Sequence, residues 1–591
     1  MSDPPVGSAD PAAAGTDVVL CDALEKVFLD ERPRARAAEP LSGFLGEVVS
    51  FQIAWRTPAV RDADDLPPLH LEVDAGGGAR VELFVVGHVP VTVPAFADPD
   101  RGYLRTVPGL FPDPLVPLPE GSPLPVVLGA WQSVWVDVVV DSPEHAGARR
   151  VRVRLGALGR PDAAPAFSAD LEIVVHPVEL PPLDITVAHW LHVDCLADRY
   201  GCTPFSEQHW RLVAAYLPSL ARSGATTVLT PLWTPPLDTA VGLRRTPTQL
   251  VDIRLSGDLT DGRWTFGFDA LDRWLEECAR AGFTSIEIPP LFSQWGARAA
   301  PSITAVTDDG PREVFGWHVP STDPAYTRFL TALLPAVRTH LSRRWPGTTA
   351  LWHVSDEPGP DSLDTYRAAR LAVRDLLDGE RVVDALSHRT FLTEGLVDTA
   401  VVATDAIAEF LDAGDPVWAY YCNAQDRAVA NRFIAQSAVR HRVIGRQLFV
   451  ADVRGFLHWG FNFWNTQLSR ATVDPFRDTT SGGAFPGGDA FVVYPGADGR
   501  PVESVRHRVL AQAFADHRAL QLLRDLTDRR TACAVVDEDG TLTFDRFSDD
   551  PQHHLRTRRL VDERIAEALG GHGLPHGQAR PSRSPRTTCA R

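Results

Sequence analysis

Residues 268–288 read Phe268-Asp269-Ala270-Leu271-Asp272-Arg273-Trp274-Leu275-Glu276-Glu277-Cys278-Ala279-Arg280-Ala281-Gly282-Phe283-Thr284-Ser285-Ile286-Glu287-Ile288. Phe268, Leu271, Leu275 and Cys278 recur at spacings of three and four, which puts them on one stripe of a helix from Phe268 to Ala281. Gly282 supplies the left-handed residue that ends helices, and Ser285–Ile288 reads as a strand. The unit repeats on both sides. Upstream, a helix from Ser206 to Ser223 carries Trp210, Val213, Leu217 and Leu220 on one face, stops at Gly224 and leads into a strand from Thr227 to Leu232. A strand from Thr186 to Val193 precedes it. Downstream come a helix from Tyr326 to Leu341 with a kink expected at Pro335, a strand from Leu351 to Val354 and a helix from Leu363 to Leu377. Strands at Val417–Cys422 and Gly455–Phe463 and a closing helix from Glu503 to Leu523 complete the series. Alternating strands and helices over 178–524 predict an α/β fold, a (β/α)8 barrel with long loops. A doubly wound sheet is the alternative, but no glycine-rich phosphate turn follows the first strand.

The texture is different before the barrel. Over 17–177, short turn-bounded runs such as Val48–Ile53, Val81–Val86, Val134–Val139, Val151–Leu155 and Leu171–Val175 predict an antiparallel β-sandwich, with the Pro-rich stretch 176–182 as a stiff linker. Residues 525–570 read as a small extension, with a hairpin from Thr531–Val536 and Thr541–Phe544 and a short helix near Val561–Leu569. Disorder is expected for 1–16, rich in Pro, Ala and Gly, and for 571–591, which holds four arginines and no acid.

The chain's 76 acidic against 58 basic residues give a net charge of -18, which argues against nucleic acid or an anionic membrane surface as partner. Cys21, Cys195, Cys202, Cys278, Cys422, Cys533 and Cys589 form no CxxC pair, and together with the absence of an apolar leader they point to reduced thiols and a cytoplasmic location. No run is long enough to span a bilayer. His189, His192 and Asp194 match no zinc spacing, and G-x-S-x-G is absent, so neither a metal, another cofactor nor serine chemistry is expected. The oligomeric state is open.

In a (β/α)8 barrel the reacting groups gather at the C-terminal ends of the strands. The residues after each apolar run are polar or aromatic: Trp190, His192 and Asp194; Trp233 and Asp238; Gln294 and Trp295; Tyr420 and Tyr421; Trp459, Asn462 and Trp464. Flat rings for the C–H face of a pyranose, with amides and carboxylates for its hydroxyls, suit a glycan or glycoside. For any single tryptophan among them core at a strand end is the better explanation; the cluster carries the reading. Leu351-Trp352-His353-Val354-Ser355-Asp356-Glu357-Pro358 adds two adjacent acids at a strand end. Side-by-side carboxylates raise one pKa and can leave a protonated general acid near neutral pH. Neighbours on a strand point oppositely, so both acids can share a pocket only where the strand ends; Pro358 is expected to end it and to hold Glu357 extended. The plainer alternative makes Asp356-Glu357-Pro358 the start of a helix near Asp361.

Residues 352–358 resemble the HiSDEP motif of the domain of unknown function 4091 family, itself similar to the catalytic barrel of glycoside hydrolase family 123. The resemblance continues in Ala188–Cys195, Leu232–Thr239, Ser293–Gly296, Trp418–Cys422, Asn431–Phe433, Gly455–Phe463 and Gly487–Gly496, and covers about 40–523 in order. It implies a retaining exo-hydrolase removing β-linked 2-acetamido-2-deoxy sugars, GalNAc-like, by substrate-assisted catalysis. Glu357 would be the general acid/base and Asp356 would orient the acetamido N–H, whose carbonyl oxygen attacks the anomeric carbon to give an oxazolinium. Tyr420 or Tyr421 would steady the acetamido oxygen. Two alternatives stand beside this: an ordinary two-carboxylate glycosidase with Asp194, Asp238 or Asp489 as partner of Glu357, and a non-catalytic carbohydrate-binding protein.

Overall fold

The computed structural model describes residues 16–58, 68–159 and 165–571. The expectations of disorder therefore concern positions that, apart from Thr16 and Gly571, lie outside the described residues.

The N-terminal region is two packed sheets. One has five antiparallel strands in the order Asp17–Asp22, Val49–Arg56, Trp131–Val140, Ala79–Val91 and Gly109–Pro117. The other has four, Leu41–Leu45, Phe167–Glu179, Gly147–Ala157 and Leu69–Asp74. Phe51, Ile53, Val134, Val136, Val151, Val153 and Ile173 fill the space between them. All of Trp131–Val140 is buried, because its outer face packs on the next domain: Trp135 joins a cluster with Val439, Val505 and Val509. The stretch expected to be a linker is partly strand. Phe167–Glu179 runs through Pro177, which sits where the register slips between Phe44 and Leu45 and no ladder N–H is needed.

Eight parallel strands close the barrel: β1 Thr186–His189, β2 Thr227–Leu229, β3 Ser285–Ile288, β4 Thr349–Trp352, β5 Arg381–Ala385, β6 Thr399–Ala403, β7 Val417–Tyr420 and β8 Gly455–His458. Pairing of β1 with β8, from Thr186↔Gly455 to His189↔His458, completes the ring. Ala188, Leu229, Leu351, Val383, Val401, Trp418 and Leu457 fill its interior. The closing helix, Val505–Leu526, starts at Ser504, whose side chain accepts from the His507 N–H. Loops after β2 and β3 add a four-stranded sheet of Asp252–Ser256, Arg263–Gly267, Ile303–Thr307 and Gly310–Phe315.

The C-terminal hairpin is corrected: its first arm is part of a helix, Arg529–Val536, and its second, Thr541–Phe544, has no regular structure, while the expected helix near Val561–Leu569 is part of a longer one, Pro551–Gly571. A five-residue apolar run does not distinguish strand from helix, and here Asp528 caps the helix by accepting from the Thr531 N–H at 2.9 Å. Ala532, Val561 and Ile565 pack on Leu520 and Leu523 of the closing helix.

The sandwich grips the loops after β7 and β8. Tyr103 Oη donates to the Asp426 carbonyl at 2.7 Å, Lys26 Nζ to that of Ile434 at 2.6 Å and Thr479 Oγ1 to that of Pro90 at 2.9 Å.

Candidate active site

The β4 ladder ends at Trp352, yet the chain stays tied down for five more residues. The Leu291 N–H donates to the His353 carbonyl (2.9 Å), Phe292 N–H to Val354 (3.0 Å) and Trp295 N–H to Asp356 (2.7 Å), while Glu357 N–H donates to Ala385 (3.1 Å). Glu357 itself has φ +43°, so it is not extended as its position before Pro358 led us to expect. The bond to Ala385 and a hydrogen bond from Tyr420 Oη to Glu357 Oε1, at 2.8 Å, hold this uncommon backbone. The turn answers the objection that neighbours face apart: both acids line one pocket. The rest of its lining is Trp190, Leu237, Asp238, Trp295, Ala385, Tyr420, Cys422, Asn423, Leu457, Trp459, Gln467 and Phe485. Asp238 (φ +38°) and Trp295 (φ +58°) are left-handed too. Strain of this kind, away from glycine, gathers at functional sites.

Beneath the acids lies a buried charged group. His353 sits between Asp384, 3.3 Å from Nδ1, and Glu287, 3.8 Å from Nε2. Burial opposes its protonation, but the two carboxylates overcome this and push its pKa up to about 10, so it is a cation at neutral pH. Trp190 Nε1 donates to Glu287 Oε2 at 2.6 Å, while Asp384 accepts from Tyr366 and from the Val354 N–H at 3.0 Å. Burial and the charge of Glu357 push the Asp356 carboxyl well up, against the pull of the His353 cation. Burial also raises Glu357, opposed by the Tyr420 hydroxyl. Asp238 is lifted by burial to about 6, with the Leu468 N–H and Arg245 resisting. Three carboxyls with raised pKa values around one pocket are what acid/base chemistry at moderate pH needs.

Residues 190–523 match the family model described as glycoside hydrolase 123, catalytic domain. This chain belongs to glycoside hydrolase family 123. A solved family 123 glycoside hydrolase from Clostridium perfringens, described in connection with glycolipid glycan hydrolysis, has a similar fold (TM-score 0.67, 12% identity, 94% of this chain and 99% of that chain covered). A GH10 xylanase from Thermobacillus composti aligns at TM-score 0.29 and 13% identity over 56% of this chain and 97% of that one, too distant to inform the site. No protein of curated function matches the chain.

Within this glycoside hydrolase the residues singled out from sequence fall into two groups. Trp190, Asp238, Trp295, Asp356, Glu357, Tyr420 and Trp459 line the pocket. The others stand behind it. His192 and Asp194 are occupied by Arg245, whose Nε and Nη2 each donate to Asp194 at 2.7 Å and whose Nη2 lies 2.9 Å from His192 Nδ1. The carboxamide of Asn462 pairs with the His192 backbone, at 2.8 and 3.0 Å. Gln294 pairs in the same way with the backbone of Thr239, at 3.2 and 2.8 Å, and so fixes the Asp238 turn. Trp233 and Trp464 are core, their indole N–H groups spent on the carbonyls of Pro290 and Val493. Tyr421 packs against Phe456 and His458, away from the pocket, which leaves Tyr420 as the tyrosine at the acids.

Glu287, Asp384, Arg245, Cys422, Asn423, Gln467 and Phe485 were not foreseen. Glu287 carried a signal, a lone acid inside the apolar run Ser285–Ile288; Arg245 carried none, lying in a loop without periodicity. Among the described residues no group of three or more His, Cys, Asp or Glu is arranged to hold a metal, and no helix is long and apolar enough to cross a membrane.

Proposed function

We propose that this family 123 glycoside hydrolase removes a terminal β-linked 2-acetamido-2-deoxy sugar, GalNAc-like, with retention and through an oxazolinium intermediate. The observation that carries the reading is that Asp356 and Glu357, adjacent in sequence, open into one pocket. Two neighbouring carboxyls cannot flank an anomeric carbon from opposite sides, as double displacement requires, but they can divide the tasks of substrate assistance. Glu357, whose pKa burial raises against the Tyr420 hydroxyl, donates to the glycosidic oxygen and later takes a proton from water. Asp356, closest in sequence to the buried cation His353, accepts from the acetamido N–H and makes its carbonyl oxygen a better nucleophile. Trp190 and Trp459 offer faces to the sugar ring.

One observation favours a second reading. Asp238 lines the same pocket, with a pKa near 6, and could partner Glu357 in a two-carboxylate reaction. Asp194 and Asp489, the other candidates for that part, are both fully buried behind the wall. An aryl 2-acetamido-β-glycoside separates the readings. Substrate assistance predicts strong inhibition by a thiazoline analogue of the oxazolinium, and losses of about 10³-fold in Glu357→Gln and about 10²-fold in Asp356→Asn. Indifference to the thiazoline, with Asp238→Asn as damaging as Glu357→Gln, would establish double displacement instead.

A further inference from the structure

The aromatic groups of the pocket lie at different depths. Trp190, Tyr420 and Phe485 are buried at 3%, 6% and 5% exposure, whereas Trp295 is 43% exposed. In a pocket that takes a terminal sugar, the sugar occupies the deep end and the leaving group lies toward solvent, beyond the acid that protonates the glycosidic oxygen. Trp295 is the most exposed aromatic ring of the lining.

Its backbone shows that this position is specified. A bulky residue at positive φ is rare, and here Trp295 (+58°), Gly296 (+113°) and Ala297 (+55°) follow one another in the left-handed region. The run is fastened to the acid-bearing segment: Trp295 N–H donates to the Asp356 carbonyl at 2.7 Å, Ala297 N–H to Ser355 Oγ at 3.2 Å and Thr365 Oγ1 to the Gly296 carbonyl at 2.8 Å. A Cβ on Gly296 would lie 2.3 Å from that of Ser362, so the turn allows only glycine. Conformational energy is spent holding a half-exposed indole at a fixed offset from Asp356 and Glu357. The Gln294–Thr239 bonds join this loop to the one that carries Asp238.

We propose that Trp295 is the platform for the leaving group, selecting aglycones that present a flat apolar face, an aryl ring or the C–H face of a further pyranose, over short alkyl groups. The proposal rests on the reading that Asp356 and Glu357 cleave a glycoside in this pocket. Steady-state kinetics on an aryl and a methyl glycoside of the same sugar test it. In Trp295→Ala the aryl-to-methyl ratio of kcat/KM is expected to fall about tenfold, the worth of one good stacking contact, while inhibition by the thiazoline, which has no aglycone, moves less than about twofold. Trp295→Phe should keep most of the ratio. Trp295→Gly relieves the positive φ and should raise Tm while losing the aryl preference. An unchanged ratio, or a lowered Tm with equal loss on both substrates and weakened thiazoline binding, overturns the proposal by making Trp295 structural. The underlying reading fails differently. If the wild type ignores the thiazoline but cleaves other aryl glycosides, the sugar is wrong and the ratio is measured on the sugar it accepts. If the wild type cleaves no glycoside, the site assignment falls and the platform with it.

Discussion

Two buried charged groups in this molecule are built from the same kinds of residue and to opposite standards. Where the sandwich meets the barrel, Arg506 donates from Nε and Nη2 to the two oxygens of Asp113 at 2.8 Å each, and from Nη1 to the carbonyls of Gly488 and Phe491 at 2.6 and 2.7 Å. Tyr494 Oη donates to the same carboxylate at 2.5 Å. Under the pocket, His353 faces Glu287 at 3.8 Å, too far for a hydrogen bond, and both His353 Nε2 and Glu287 Oε1 lack a partner among the described residues. Low-dielectric surroundings reward complete satisfaction and penalise the incomplete kind. The interface group is organised as a fixed joint. The pocket group leaves two polar atoms without hydrogen-bond partners near the reacting acids, and its worth lies in the field it exerts on Asp356.

Substitutions can break or sharpen that contrast. Arg506→Met leaves the Asp113 carboxylate buried and unpaired, and should cost about 3–5 kcal/mol of stability in denaturant titration while the folded fraction keeps its kcat. Unchanged stability would mean that the joint is ornamental. The pocket group should respond in the reverse manner. In His353→Gln, Glu287 and Asp384 can absorb protons, so stability suffers less than activity, which should fall about 10²-fold. The cation lowers the pKa of Asp356, so its removal should also move the acidic limb of the kcat/KM profile to higher pH. A uniform loss with no movement of that limb would argue for a packing role alone.

Tyr420→Phe is milder, about tenfold in kcat. The hydroxyl favours ionised Glu357, so without it the alkaline limb should shift upward. The smallest effect is expected from charge removal at Asp238. Its folded pKa, near 6, exceeds the ordinary 3.8, so the folded state holds the extra proton and stability declines as pH rises from about 4 through 6. Asp238→Asn should abolish that decline and leave the variant on the order of 1–2 kcal/mol more stable at pH 7, read as Tm against pH. A variant less stable than wild type at pH 7 would show that the bond from Leu468 N–H outweighs the buried charge.

How much of this was legible in the sequence depended on length and on local contact. The helices Glu207–Arg222, Asp269–Arg280 and Pro324–Arg344 are long enough to show an apolar stripe, and with them the barrel was readable. Strands β5 and β6 went unseen because the helices after them, Thr390–Thr393 and Ile407–Asp412, are too short to show a period. In the site, the acid pair stood out because two carboxylates at the end of an apolar strand need an explanation. Which neighbouring polar residues face the pocket was decided by Arg245, some fifty positions from the Asp194 it pairs with, and pattern reading does not reach such a partner. The expected extended backbone at Glu357 failed for a related reason: tertiary hydrogen bonds from β5 and β7 outweighed the preference set by Pro358.

The bonds from Tyr103, Lys26 and Thr479 across to the other domain bear on what counts as a unit in this protein. Recognition by sequence family stops at residue 190 on one side, but the hydrogen bonds cross that boundary. Loops that supply Cys422, Asn423 and Phe485 to the pocket are fastened to residues well upstream of that boundary. A calorimetric scan should therefore show one transition in place of two, and the catalytic machinery should melt with the sandwich. A single transition would give the heritable module and the thermodynamic one different edges.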